Sequence, residues 1–199
     1  MNERAEAFFG YYRLADLLLP VQALPEGSEL VRIFARPDGD WTTAPAKYRN
    51  QRVDPPAGFK DSYSVLYLGD SQHTCEFEVR RLQSTHVDGR EVVLEPLQVD
   101  RQHRIVRHRS AQVQLLVDLD SPLVAPALRA ANGREDCEMW RRYSWLLLQH
   151  LRRYGAEAML PITGVTYRSR QRGCSGRVFA IYDEFKQQAL TRGEATVLA

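Results

Sequence analysis

The chain has 199 residues, 44% of them hydrophobic and 26% charged, with a formal net charge of +2. This is enough for one compact domain with its own core, and it excludes a disordered or fibrous chain. The charge is too small to announce a nucleic-acid partner, and the three scattered cysteines, Cys75, Cys137 and Cys174, suggest neither a disulfide framework nor a metal site.

The longest apolar runs, Leu146-Leu147-Leu148 and Leu17-Leu18-Leu19-Pro20, fall far short of the roughly 20 residues that cross a bilayer. The mixed-sign start, Met1-Asn2-Glu3-Arg4-Ala5-Glu6, does not read as a cleavable signal, so the expectation is a cytoplasmic protein with no membrane contact.

In chain order, Ala5, Phe8, Phe9, Tyr12, Ala15, Leu18 and Leu19 recur at three-to-four spacing, which predicts an amphipathic helix over 3–19 that Pro20 ends. Leu30-Val31-Arg32-Ile33-Phe34 reads as a strand. Residues 35–63, with four prolines and two glycines, read as a long irregular segment of the kind that often carries function. Ser64 to Leu68 is the clearest strand, and Asp70 or Ser71 can cap a helix that buries Cys75, Phe77 or Val79, and Leu82. Short strands are expected at Val92–Leu94, Arg104–Val106 and Gln114–Leu119. A helix should open at Ser121-Pro122 and run to about Ala131, and a longer one should span Glu135 to Tyr154 and stop at Gly155. Strands near Gly164–Tyr167 and Val178–Tyr182 complete an α+β domain.

Several residues are candidates for chemistry. Arg32 within Leu-Val-Arg-Ile-Phe either faces outward from its strand or has found an anion, a carboxylate or a cleft, because a buried guanidinium without one costs desolvation. Arg52, in Arg52-Val53-Asp54-Pro55-Pro56, is a second such cation. Glu76 and Glu78 share a face on a strand, but on a helix they stand about 200° apart, so only one can face a site. The other reading makes both of them solvated partners of Arg80 and Arg81. The turn after Tyr167, with Arg168, Ser169, Arg170 and Arg172 and the backbone of Gly173 to Gly176, could hold a phosphate or could be an ordinary solvated turn. His73 and Cys75 on one helix point apart, which argues against a cysteine nucleophile. The Arg101–Arg109 run has no Phe, Tyr or Trp for base stacking and reads as a solvated hairpin.

Taken in order, Leu30-Val31-Arg32-Ile33, Arg52-Val53-Asp54-Pro55-Pro56, Val65 to Ser71 followed by Glu78, and Gly164 to Arg170 resemble the RES domain family. The resemblance implies an ADP-ribosyltransferase-like split β-sheet core flanked by helices, over residues 28–185. Residues 1–27 would be an N-terminal helical extension and residues 186–199 a C-terminal tail. It identifies Glu78, Arg32 and Ser169 as the name-giving catalytic positions, and Arg32, Arg52, Tyr67 and Ser169 as contacts to NAD+.

The family's members are mostly bacterial toxins of type II toxin-antitoxin pairs, and its characterised members consume NAD+. The implied activity is therefore cleavage of the nicotinamide–ribose bond, with NAD+ as substrate, no cofactor and no metal. Water as acceptor gives a glycohydrolase, phosphate a phosphorylase and a protein side chain an ADP-ribosyltransferase. The implied partner is a cognate Xre-like antitoxin, without direct nucleic-acid contact, and the oligomeric state is left open. The reading from another class is a non-catalytic module that keeps the fold to bind a nucleotide or a partner.

Overall fold

The computed structural model describes residues 9–94, 102–125 and 137–198, and within them the chain forms an α+β domain. In chain order the strands are β1 (Phe9–Leu14), β2 (Leu17–Leu24), β3 (Glu29–Phe34), β4 (Val65–Gly69), β5 (Gln83–Val87), β6 (Arg90–Leu94), β7 (Arg104–Ser110), β8 (Gln114–Asp118), β9 (Ile162–Arg168), β10 (Arg177–Tyr182), β11 (Leu190–Thr191) and β12 (Ala195–Val197). The helices are α1 (Gln72–Glu78), α2 (Cys137–Tyr154) and α3 (Lys186–Ala189). The main sheet runs β1-β2-β8-β9-β10-β4-β3-β7-β11, with β12 also on β7, while β5 and β6 form a separate hairpin. All pairs are antiparallel except β8 with β9.

Alternation along the central strands divides the core between two faces. Val65, Val178, Ala180 and Tyr182 belong to one cluster with Trp140, Leu147, Leu148 and Leu151, so α2 covers that face. Leu66, Leu68, Phe179 and Ile181 turn to the other side, where Ala189, Leu190 and Trp41 cover them. Gly164 lies in β9 opposite Ile181, and a Cβ there would collide with the Ala180 carbonyl, so the close approach of β9 to β10 requires glycine.

The expected helix over 3–19 is not formed where the structure describes it. Residues 9–24 make the β1–β2 hairpin, turning at Ala15 with φ of 50°. The apolar spacing fits both periods. Leu19, Val21 and Leu24 are buried only because β2 pairs β8 from Val21 to Leu24, an edge that no local pattern can reveal. Pro20, expected as a helix stop, lies in β2 just before that pairing begins, where its missing N–H breaks no bond to β8.

The hairpin strand β5 has no counterpart among the expected elements. Residues 121–124 form a turn that becomes helical at Ala125, whose N–H bonds the Ser121 carbonyl at 2.8 Å, and the rest of the helix expected from Ser121 lies outside the described residues. The Arg101–Arg109 run is largely a sheet strand and not a hairpin tip: β7 exposes Arg104, Arg107 and Arg109 and buries His108.

The C-terminal residues are built into the domain. β11 and β12 pair β7, and Arg192 forks onto Asp40 at 2.9 and 2.6 Å. Lys186 donates to the Trp41 carbonyl at 2.9 Å and lies over the Trp41 ring. Between these groups His108 is fully buried. Gly193 N–H donates to its Nδ1 at 3.3 Å, so the proton sits on Nε2, which donates to the Asp40 carbonyl at 3.0 Å.

Burial, aided by the charges of Arg32 and Arg192, holds His108 below its ordinary value of 6.5. The unfolded chain therefore takes a proton below about pH 6.5 that the folded chain resists, and stability falls as the pH drops. Urea titrations should show this loss between pH 7 and pH 5, and His108→Gln should make it shallower.

Candidate active site

β3 and β4 touch at a single pair, Val31 opposite Gly69, and then part. On β4, Tyr67 and Leu68 therefore lack a β3 partner along the rest of the edge, and a cavity of about 150 Å³ opens there. Arg32 spans the gap. Its Nε donates to the Gly39 carbonyl at 2.6 Å and its Nη1 to the Tyr67 carbonyl at 2.8 Å. Both acceptors are neutral, and among the described residues no carboxylate lies within ion-pair reach of Arg32. Burial pulls its pKa down to about 10, which leaves it charged at neutral pH. Of the two sequence readings of Arg32, the structure selects the cleft and rejects the outward-facing strand residue.

Tyr67 lines the same cavity, and its hydroxyl donates to Asp54 Oδ1 at 3.2 Å while accepting the Val53 N–H at 3.2 Å. Burial, reinforced by the Asp54 charge, holds the phenol well above its ordinary range, so it stays a donor. Burial also raises the Asp54 carboxyl. Asp54 is thus the residue that fixes the phenol, a role that sequence reasoning does not assign. Its signal is a carboxylate ahead of two prolines, in the same segment as Arg52.

The long segment 35–63 is held by cations on carbonyls. Arg49 donates to Ala44, Lys60 and Tyr63, and Arg141 of α2 donates to Asn50 and Gln51. Gln51 lines the cavity. Arg52, next to it in the chain, is half-buried and is not among the lining residues.

α1 presents the carboxylate. Ser71 caps its start by accepting the Thr74 N–H at 3.2 Å, and Thr74, Cys75 and Phe77 are buried. Its end is a Schellman turn: Arg80 N–H bonds Phe77 O at 3.0 Å, Arg81 N–H bonds Glu76 O at 2.7 Å, and Arg80 takes φ of 61°, where glycine is usual. The last helical residue, Glu78, lines the cavity and accepts the Ser169 hydroxyl at 2.5 Å. Ser169 is buried, 91 positions away, at the end of β9. Glu76 instead accepts from Gln72 at 3.0 Å and is not part of the cavity lining. Helical geometry therefore separates the two glutamates.

Cys75 lines the cavity as well, but its thiol donates to Val31 O at 3.1 Å and burial pushes its pKa up to about 12, so it offers no thiolate. In the turn after β9, Arg170 is engaged by Asp120 at 2.5 Å, and Arg172 meets His86 Nδ1 at 2.8 Å. Those four arginine and serine positions do not converge: Ser169 faces Glu78, Arg170 faces Asp120, and Arg168 is exposed.

An α+β domain whose parted strands open a cavity lined by an arginine and a tyrosine, with a helix-end glutamate backed by a serine, presents a candidate small-molecule site. The chain belongs to the RES domain family, whose profile matches residues 29–195. The match begins with β3 and reaches into β12, so it includes all the site residues and most of the C-terminal segment, and it leaves out the β1–β2 hairpin. No curated protein and no solved structure matches the chain. Among the described residues no helix is long and apolar enough to cross a membrane.

Arg32→Lys should test the bridging geometry, since one ammonium cannot reproduce a planar fork onto two carbonyls. We expect a loss of about 1–2 kcal/mol in urea unfolding, the cost of leaving one buried carbonyl without its donor.

Proposed function

We propose that the protein cleaves the bond between nicotinamide and ribose in NAD+, with NAD+ as substrate. The observation that carries this reading is the meeting of Arg32, Tyr67 and Glu78 on one cavity, with Ser169 bonded to Glu78. A cavity of about 150 Å³ is smaller than the 300–1,000 Å³ that encloses a drug-sized ligand, so it would hold the nicotinamide-ribose end and not the whole dinucleotide.

In this reading Arg32, a cation without a carboxylate, pairs with a pyrophosphate oxygen. Tyr67 stacks on nicotinamide or bonds the ribose. Glu78 accepts a ribose hydroxyl and offsets the positive charge that grows on the sugar as nicotinamide leaves, an effect enlarged where water is scarce. Ser169 holds the carboxylate in place and can bond ribose in turn. Arg52, half-buried and adjacent in sequence to the cavity-lining Gln51, would contact the distal part of the dinucleotide. The acceptor is water or phosphate, with transfer to a protein side chain as the alternative. Such an activity would act as a toxin in the cytoplasm and would need restraint by an Xre-like antitoxin. The non-catalytic reading has less support, because the cavity is lined both by an arginine without a carboxylate partner and by a carboxylate held by a serine, an arrangement suited to a charge that develops during a reaction.

The test follows nicotinamide release from NAD+, with and without phosphate. Glu78→Gln and Arg32→Ala should each reduce the rate about 100-fold or more, and Ser169→Ala about tenfold. Glu76→Gln should leave it unchanged. No release by the wild-type chain under either condition, or equal losses from the two glutamate variants, would refute the assignment.

A further inference from the structure

The end of α1 also forms one wall of a second cleft, of about 270 Å³, whose other wall comes from β5 and the turn after β9. Two arginines line it, Arg80 and Arg172, and no carboxylate is among its lining residues. Glu91 Oε1 stands beside Gly173, outside the lining, 3.1 Å from where a Cβ on that glycine would be. Among the described residues the Arg80 side chain has no ion-pair or hydrogen-bond partner. Arg172 commits Nη2 to His86 and keeps its other donors. The Ser84 hydroxyl lines the same space, buried and with no hydrogen-bond partner.

The backbone of Arg80 adds an independent observation. It occupies the left-handed position of the Schellman turn, φ 61°, where glycine would fit without strain. An arginine at a glycine position costs backbone strain that its favourable charge at a helix C-terminus only partly offsets, and its side chain lines a cleft that also holds a second cation and an unsatisfied hydroxyl. Two guanidinium groups and a hydroxyl around an open cleft have the donor set that a phosphate group takes. The sequence suggests such a donor set in the turn after Tyr167. The structure forms it from only one arginine of that turn, Arg172, together with Arg80 and Ser84.

We propose that this cleft is a phosphate-binding site, distinct from the cavity of Arg32 and Glu78, taking either free phosphate or the terminal phosphate of a nucleotide. Gln171 links the two places, since it lines the cleft and its N–H donates to Ser169 Oγ at 3.2 Å, the hydroxyl that bonds Glu78. The proposal does not depend on NAD+ being the substrate.

Calorimetric titration with inorganic phosphate and with adenosine monophosphate tests it on the wild-type chain, Arg80→Gly, Arg172→Gln and Arg32→Gln. Saturable binding of at least one probe is expected, weakened about tenfold or more by each of the first two substitutions and kept by Arg32→Gln. The tighter probe identifies the source of the phosphate, and either order of affinity supports the site. Arg80→Gly should unfold at an equal or higher urea concentration than the wild type, which separates loss of the site from loss of the fold. Absence of saturable binding for both probes, binding untouched by Arg80→Gly and Arg172→Gln, or binding abolished by Arg32→Gln would overturn the proposal. None of these outcomes bears on whether nicotinamide is released.

Discussion

The site depends on one substitution of donors. Where β3 and β4 part after Val31 and Gly69, a carbonyl of β4 would lose its partner, and the guanidinium of Arg32 supplies the donor in place of a backbone N–H. The same group reaches Gly39, so one planar fork holds the end of the gap and the loop that flanks it. Because both of its acceptors are neutral, its charge is held in place but not neutralised. A buried carbonyl needs a donor and a buried cation needs an anion, and among the described residues Arg32 satisfies the first requirement and leaves the second unmet.

The groups that hold this arrangement come from distant parts of the chain. Gly39 sits next to Asp40, which is forked by Arg192, while His108 and Lys186 bond the carbonyls of Asp40 and Trp41. The C-terminal segment therefore stiffens the loop that orients Arg32. On the other side of the cavity, Asp54 fixes the Tyr67 hydroxyl and α2 fixes the carbonyls of residues 50 and 51. Glu78 depends on a different device: a short capped helix ends at the residue that must face the cavity, and a serine from the far strand fixes the carboxylate.

Much of this is legible in the sequence. Apolar runs bounded by turn residues locate β3, β4, β8, β9 and β10, and the Ser71 cap announces α1. The order of the Arg32, Tyr67, Glu78 and Ser169 segments is enough to point to the family, although it groups them with Arg52, which does not line their cavity. The N-terminal hairpin reads as a helix because Phe9, Tyr12, Leu18 and Leu19 satisfy a 3.6-residue period as well as a hairpin register, and only pairing with β8 decides between them. Residues 186–199 read as a tail because the contacts of their described part, to β7 and to Asp40, lie 80 to 152 positions away.

The local events follow from the amino-acid order alone: which segments extend, where α1 begins, and that Glu76 and Glu78 cannot share a face of a helix. They rest on backbone geometry and on side chains a few residues apart. What faces what is a matter of tertiary packing: that Arg32 crosses a gap in the sheet and not into solvent, that Ser169 meets Glu78, and that Arg80 joins Arg172 across a cleft. Each of these is a contact between segments far apart in the chain, set by strand order and packing, and no pattern within a single segment encodes it.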